Sequence, residues 1–392
     1  MTMLSDAEAR VLMLSLPTGI IDSKCLFGPT PQETRRLRTA FAALLTADYL
    51  SEHIVAHDKT AGRDFRRSYI TQAGVDALCT TLPSTHPLQK YHDLPVNIRS
   101  GRNESHLSRM VRYADVSCFL ACAGAETALT CPLTLGCNPF FVGAPPLLHD
   151  SPNLEDQLKK ELVNHCQALP ALSSSSTGAV YFQSDYVRIA NKYNNNTGLL
   201  IDFGHKDVYM VFKSLFRTPL RWYGETYRTC LALYHRYYFD RWGIRNTING
   251  NLRDAILIVD TKSELLAYLD QASKYRSPFA HLFVFLRRAE GFEDLRYLLE
   301  HGLVTTLENH LEIAKRVHGV TGKIDQNGAT IIRYNGNRCL LGTLLDVAAA
   351  GNWKKIYEQS KDDAAYYLCF EDQVEYYARA VNLKYLLPIP RS

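Results

Sequence analysis

Apolar residues recur along this chain at two different spacings, and the change from one to the other divides it. Up to about residue 176 the spacing is mostly that of helices. Ser5-Asp6-Ala7-Glu8 opens a helix with a capping box, and Val11, Leu12, Leu14 and Leu16 follow before Pro17-Thr18-Gly19 ends it. Ile20, Ile21, Cys25 and Leu26 predict a short second helix, stopped by Gly28-Pro29. A third helix starts at Thr30-Pro31-Gln32-Glu33, where Thr30 can cap, Pro31 loses no needed N–H and Glu33 can reach back. It carries Arg35, Arg36 and Arg38 near its start and turns apolar through Phe41, Leu44 and Leu45. Two short alternating runs, Leu50 to His57 and Phe65 to Ile70, then flank a polar tip from Asp58 to Asp64 and predict a β-hairpin. A last helix from Thr71 turns Val75 and Leu78 inward.

Three helices, a hairpin and a helix, in that order, read as a winged helix-turn-helix over residues 1–80. In such an arrangement the third helix enters the major groove of double-stranded DNA while the hairpin lies along the backbone. The expected DNA-binding residues are Arg35, Arg36 and Arg38 on the helix and Lys59, Arg63, Arg66 and Arg67 on the hairpin. Between Arg35 and Ile70, seven Lys and Arg stand against four acids, a local charge of +3. Two other readings stay open: the arginines as a solvated helix face, and the winged helix as a protein–protein module.

Residues 81–150 read as a helical connector. Within it, Asn103 to Ala123 has near-helical spacing at Leu107, Met110, Val111, Ala114, Phe119 and Leu120. This helix can pack back on the first domain or form the seam of a homodimer. Cys118, Cys122, Cys131 and Cys137, with His149 beyond, raise the question of zinc. The spacing lacks Cys-x2-Cys knuckles, and a Cys-x3-Cys pair on an apolar helix behaves as small hydrophobes, so no metal is expected. The proline-rich stretch from Pro139 to Pro152 places a boundary near Asp150.

Residues 151–392 change character. A helix is expected from Ser151 to about Ala168, then a four-serine tract, Ser173 to Ser176. Runs rich in β-branched and aromatic residues follow at Ala179 to Phe182, Tyr186 to Ala190, Gly198 to Phe203 and Val208 to Phe212. Trp222 to Tyr238 predicts an aromatic-loaded helix, Ala255 to Asp260 predicts a strand buried on both faces, and His281 to Leu286 a further buried strand. Thr261-Lys262-Ser263-Glu264 starts a helix between them. The tail predicts a strand near Ile331 to Tyr334, a helix from Gly342 to Gln359, and strands at Tyr366 to Phe370 and Val374 to Ala378 that complete the domain's sheet. Together these give a compact α/β domain with a C-terminal extension, in an α+β / α/β multidomain chain.

Composition narrows the class. Apolar residues make up 46% and charged residues 21% of 392 residues, the balance of an ordinary globular chain. No unbroken apolar run is long enough for a spanning helix, so no membrane partner is expected. Met1-Thr2-Met3-Leu4-Ser5-Asp6 lacks the features of a secretory signal, and ten scattered cysteines suit a reducing compartment, so a cytoplasmic location is expected. The net charge is only +4, so any grip on nucleic acid has to come from a local patch.

Ser175-Ser176-Thr177-Gly178-Ala179-Val180-Tyr181-Phe182 and Leu220-Arg221-Trp222-Tyr223-Gly224-Glu225, behind an N-terminal winged helix, resemble the replication-relaxation family and related proteins of Gram-positive plasmids and integrative elements. The resemblance implies a winged helix fused to a restriction-endonuclease-like core, acting in plasmid replication, mobilisation or their control. A working core of that type needs an acid on one strand and acid-x-Lys on the next, to hold Mg²⁺ and assist the attacking water. Asp202, Asp260 and Lys262 are the candidate catalytic residues for that alternative. However, the position two before Lys213 is Val211, and an aromatic helix separates Asp260-Thr261-Lys262 from Asp202. The expectation is therefore a catalytically inactive scaffold without a cofactor, with Mg²⁺ only if the nuclease alternative holds. Protein partners are not specified by any motif.

Overall fold

In a computed structural model of the chain, the described residues are 3–16, 19–58, 63–84, 104–127, 140–143, 196–202, 205, 207–213, 254–272, 277, 279–325, 328, 330–359 and 365–391. They form mixed α and β structure with several sheets, in two compact units, Met1–Leu199 and Leu200–Ser392. No helix among the described residues is long and apolar enough to cross a membrane.

The first unit begins with α1, Asp6–Ser15, held by the expected capping box: Ser5 N donates to Glu8 Oε2 at 2.8 Å and Glu8 N donates back to Ser5 Oγ. The expected second helix is absent. Ile20–Ile21 forms a two-residue strand, β1, and only Ser23–Cys25 winds into a 3-10 turn. Two adjacent β-branched residues fit a sheet edge better than one turn of helix, and they pair with Tyr69 and Ser68. Next come α2, Pro31–Thr46, and the hairpin strands β2, Leu50–Asp58, and β3, Arg63–Ile70, with a bulge between Ile54 and Ala56. The three strands lie in the order β1-β3-β2.

Thr71 caps α3, Gln72–Thr81, by accepting from Gly74 N at 3.1 Å. Gly74 sits so close to the start of the hairpin that a Cβ there would lie 2.3 Å from Tyr49 O, which fixes how α3 docks. The longest described helix of the unit, α4, Glu104–Cys122, buries Val111, Ala114, Cys118 and Phe119, and Phe119 meets Phe27 edge-on at 5.6 Å. A short parallel pair, β4 (Glu126–Thr127) and β5 (Phe140–Gly143), follows.

The second unit is entered by β6, Asn196–Asp202, which lies beside β7, Asp207–Lys213. β7, β8 (Asp254–Val259) and β9 (His281–Leu286) run parallel, in register Met210–Ala255–Leu282 and onward. Every residue from Ala255 to Val259 and from His281 to Leu286 is buried, as continuous apolar runs in a covered parallel sheet should be. α5, Lys262–Ala272, joins β8 to β9, and α6 (Ala289–His301) and α7 (Leu303–His318) follow.

The tail does not complete this sheet. It builds one of its own, in the order β10-β11-β12-β13-β14, from Thr321–Ile324, Thr330–Tyr334, Asn337–Leu341, Tyr366–Phe370 and Leu386–Ile389. Its first two joints are antiparallel and its last two parallel, and α8, Val347–Gln359, supplies the crossover between β12 and β13. The strand expected at Val374 to Ala378 is instead a helical turn, α9, Val374–Tyr377, which buries Tyr377 on Tyr367. The helix expected from Ser151, the strands at Ala179 to Ala190, the helix at Trp222 to Tyr238 and both stretches that carry the family resemblance lie outside the described residues.

Candidate functional site

The outward face of α2 is set by its inward one. Leu37, Ala40, Phe41 and Leu44 form the buried stripe, which leaves Arg35, Arg36, Thr39 and Ala43 exposed on the other side. Thr30 fixes the helix start, accepting from Glu33 N at 3.2 Å, and Thr34 Oγ1 accepts from Gly28 N at 2.9 Å to set the incoming turn. Arg38 is exposed but tethered: its Nε donates to Leu26 O at 3.3 Å and its guanidinium stands 5.1 Å over the Phe27 ring.

On the hairpin, neighbouring arginines part company because successive residues of a strand point to opposite faces. Arg66 is 57% exposed and pairs across the strands with Glu52 at 3.0 Å. Arg67 is only 5% exposed. Its Nε and Nη2 bind both oxygens of Asp115, at 3.1 and 2.8 Å, and its Nη1 lies 3.4 Å from Asp22. Arg67 is therefore not part of the surface expected for it; it ties β3 to α4 and to the turn after β1. The backbone of Arg63 pairs with Asp58 at the far end of the hairpin, its side chain is outside the described set, and Lys59 lies outside the described residues.

Asp22, Cys25 and Asp115 bring three ligand-type atoms within 4.8 Å of one another. The Arg67 guanidinium already lies against both carboxylates, so the positive charge a cation would bring is supplied by the chain itself. Cys118 and Cys122 are buried beside this junction, where Cys118 Sγ faces Cys25 O at 3.8 Å. A hydrogen bond between the two thiols raises Cys118 and lowers Cys122. Cys131, Cys137 and His149 lie outside the described residues.

In the second unit the polar groups gather at the two ends of the parallel sheet. At the carboxyl ends, Lys213 closes β7, Asp260 follows β8 and Arg287 follows β9. Asp260 Oδ1 accepts from Lys213 Nζ at 2.7 Å and from Arg287 Nε at 2.5 Å. Glu264 caps α5 by accepting from Asp260 N and Thr261 N, and burial raises its carboxyl above the usual range against the pull of Lys213. This is where open α/β sheets commonly bind ligands. Here Lys213 is fully buried and both cations converge on one carboxylate.

The amino ends hold acids and histidines. His205 Nδ1 meets Asp202 Oδ2 at 2.6 Å, and Asp207 accepts from Leu303 N at 2.6 Å and from the Tyr209 hydroxyl at 3.2 Å. Burial pushes Asp207 up to about 6, and burial with the nearby Asp207 and Asp346 pushes Asp254 up to about 7. Asp254 Oδ1 is buried without a hydrogen-bond partner, a cost that is smaller for the neutral carboxyl that burial favours.

His281 lies between Asp346 Oδ2, 2.8 Å from Nδ1, and Gly328 O, 3.2 Å from Nε2. Burial opposes its charge, but Asp346, Asp254 and the Gly328 carbonyl together hold the ring protonated to about 9. Asp346 also accepts from Leu282 N, Ala348 N and Ala349 N, which anchors the start of α8.

The three candidate catalytic residues are thus not brought together. Asp202 belongs to the amino-end group with Asp207, whereas Asp260 lies beyond the other end of β8, a strand length of about 20 Å away. Lys262 points elsewhere, pairing with Glu375 and standing 4.9 Å from the Tyr376 ring. Asp115, Asp254, His281, Arg287 and Asp346 escaped the sequence reading. For Asp254 and His281 the signal was available, since each charged residue directly opens a buried apolar run; Asp115 sits inside an apolar helix with nothing local to mark its partner.

No protein-family model matches the chain, and neither a curated protein sequence nor a solved structure matches it.

Proposed function

We propose that the first unit is a winged helix-turn-helix that binds double-stranded DNA, with α2 as the reading helix and the β2–β3 hairpin as the wing. The observation that carries this is the exposure of Arg35 and Arg36 on the face of α2 opposite its buried stripe. Arg66 adds a cation on the hairpin, and Arg63 lies nearer its tip. The element order, with β1 pairing on β3 and α3 packed on α1 against the base of the hairpin, supports the same reading. In this account Arg67 has a structural role and Arg38 braces the turn before α2.

The second unit is a non-catalytic α/β partner, a reading supported by Lys213 and Arg287 both being held by Asp260 and by Asp202, Asp260 and Lys262 not converging. The resemblance to the replication-relaxation family makes replication, mobilisation or transcriptional control in a plasmid or integrative element the setting. Duplex binding by the full chain, measured by fluorescence anisotropy at low salt, tests the proposal. Wild type binds, Arg35→Ala/Arg36→Ala loses most of the affinity, and Arg38→Ala loses less. Absence of duplex binding at low salt rejects it.

A further inference from the structure

One end of the tail sheet carries a run of aromatic rings. Tyr334 ends β11, Tyr366 begins β13, and Tyr385 immediately precedes β14, so the sheet register brings all three to the same end. Tyr357 reaches the same place from the last turns of α8. Ring centroids step from Tyr334 to Tyr366 at 4.8 Å, to Tyr385 at 5.8 Å and to Tyr357 at 5.2 Å. Trp353 backs the series, stacked on Tyr357 at 5.1 Å and fixed by its Nε1 donating to Ala365 O at 2.7 Å.

These rings are held rigidly yet remain open to solvent. Tyr357 is 37% exposed; Tyr334, Tyr366 and Tyr385 are half-buried; and Leu383 beside them is 63% exposed. Among the described residues, the charges at this end of the sheet are mostly basic. Lys384 is exposed, with its ammonium 4.7 Å over the Tyr385 ring. Arg333 and Arg338, both exposed, pair across β11 and β12 on the face of the sheet opposite Tyr334, and Arg333 folds over the turn at this end through Gly336 O at 2.9 Å. Lys354 and Glu358 on α8 offset each other at 3.8 Å.

Rigid, solvent-open aromatic faces bordered by cations are the pattern that binds unpaired bases, which stack on the rings while the phosphates meet the charges. A protein partner of comparable strength would call for a desolvated pocket with an apolar centre, whereas here the exposed Lys384 ammonium stands over the Tyr385 ring. We infer that this aromatic ledge is a second nucleic-acid surface, specific for single strands, formed by Tyr334, Tyr357, Tyr366 and Tyr385 with Lys384 as its nearest phosphate partner. It stands apart from duplex binding by the first unit and can hold or fail independently of it.

The test uses the full chain, a fluorescein-labelled oligothymidylate of about 15 nucleotides and a labelled duplex, followed by anisotropy across a salt series. Tyr357→Ala/Tyr385→Ala should weaken oligothymidylate binding by about tenfold or more and leave duplex binding unchanged. Tyr385→Phe, which keeps the ring, should bind the single strand within about twofold of wild type. Lys384→Glu alters an exposed residue without touching the core, and it should weaken single-strand binding and flatten its salt dependence. Failure of wild type to bind the single strand at low salt overturns the inference and leaves a protein as the occupant. Unchanged binding by both the tyrosine pair and Lys384→Glu overturns it too. Loss of single-strand binding in Arg35→Ala/Arg36→Ala would likewise overturn it, by placing the contact on α2.

Discussion

The arginines of α2 and the cations at the ends of the parallel sheet make opposite uses of the same chemistry. Arg35 and Arg36 stand on a helix face that the fold leaves open, while Lys213 and Arg287 are enclosed and converge on Asp260. The hairpin repeats the contrast over one peptide bond, with Arg66 outside and Arg67 inside. Counting basic residues along a sequence therefore overstates a binding surface, because some of them hold elements together. The enclosed cations should control stability and leave recognition alone; the open ones should do the reverse.

Removing a partner from a buried pair gives the largest expected effect. Asp115→Ala leaves the Arg67 guanidinium buried without its two-point carboxylate partner, and should cost about 3–5 kcal/mol of unfolding free energy in a denaturant titration. Replacing both partners with apolar residues, as in Arg67→Met/Asp115→Leu, should recover much of that loss. A small loss from Asp115→Ala alone would mean that Arg67 is free to serve as a surface contact. Asp260→Ala should come next, at roughly 3 kcal/mol, since Lys213 is fully buried but Asp260 is partly open.

The amino-end group adds a pH dependence of known sign. His281 keeps its proton to about 9 when folded, against an ordinary value of 6.5. The folded chain thus binds more protons than the unfolded one between those values. Its stabilisation is complete below 6.5 and is lost as pH rises through the folded value. Asp254, raised to about 7, drives stability down with rising pH in the same way, from the ordinary carboxyl value of 3.8 upward. His310 does the opposite at lower pH: burial and the charge of Arg391 hold it neutral down to about 3, so it adds stability as pH climbs toward 6.5. Unfolding measured from pH 7 to 9, above the Asp254 value, therefore reports mainly on His281, with a fall of up to roughly 3 kcal/mol that His281→Gln should flatten.

Much of the first unit could be read from local signals. The caps at Ser5, Thr30 and Thr71, the stripe of α2 and the alternation of the hairpin all concern residues within a few positions of each other. Ile20–Ile21 misled because whether two β-branched residues join a strand depends on a partner almost fifty positions away. The tail misled for a similar reason: its parallel joints and left-handed Leu344 and Leu345 are maintained by Tyr367 donating to Asp346 O and Tyr377 donating to Gly342 O. Strand ends of the parallel sheet were legible from their apolar runs, but not which charged residues meet there. Arg67 shows the limit most plainly, since period-2 alternation puts it on the face opposite Arg66 yet nothing nearby announces Asp115.

The smallest expected effect on stability belongs to the residues with the largest expected effect on binding. Arg35→Ala/Arg36→Ala should change unfolding free energy by less than about 0.5 kcal/mol, as exposed substitutions usually do. Duplex affinity of the wild type and this variant, measured against salt concentration, is the most direct test of the account. Wild type should lose affinity linearly in log salt, and the variant should bind more weakly with a slope shallower by about two. Equal affinity and equal slope for the two proteins would contradict the assignment of the α2 face to DNA.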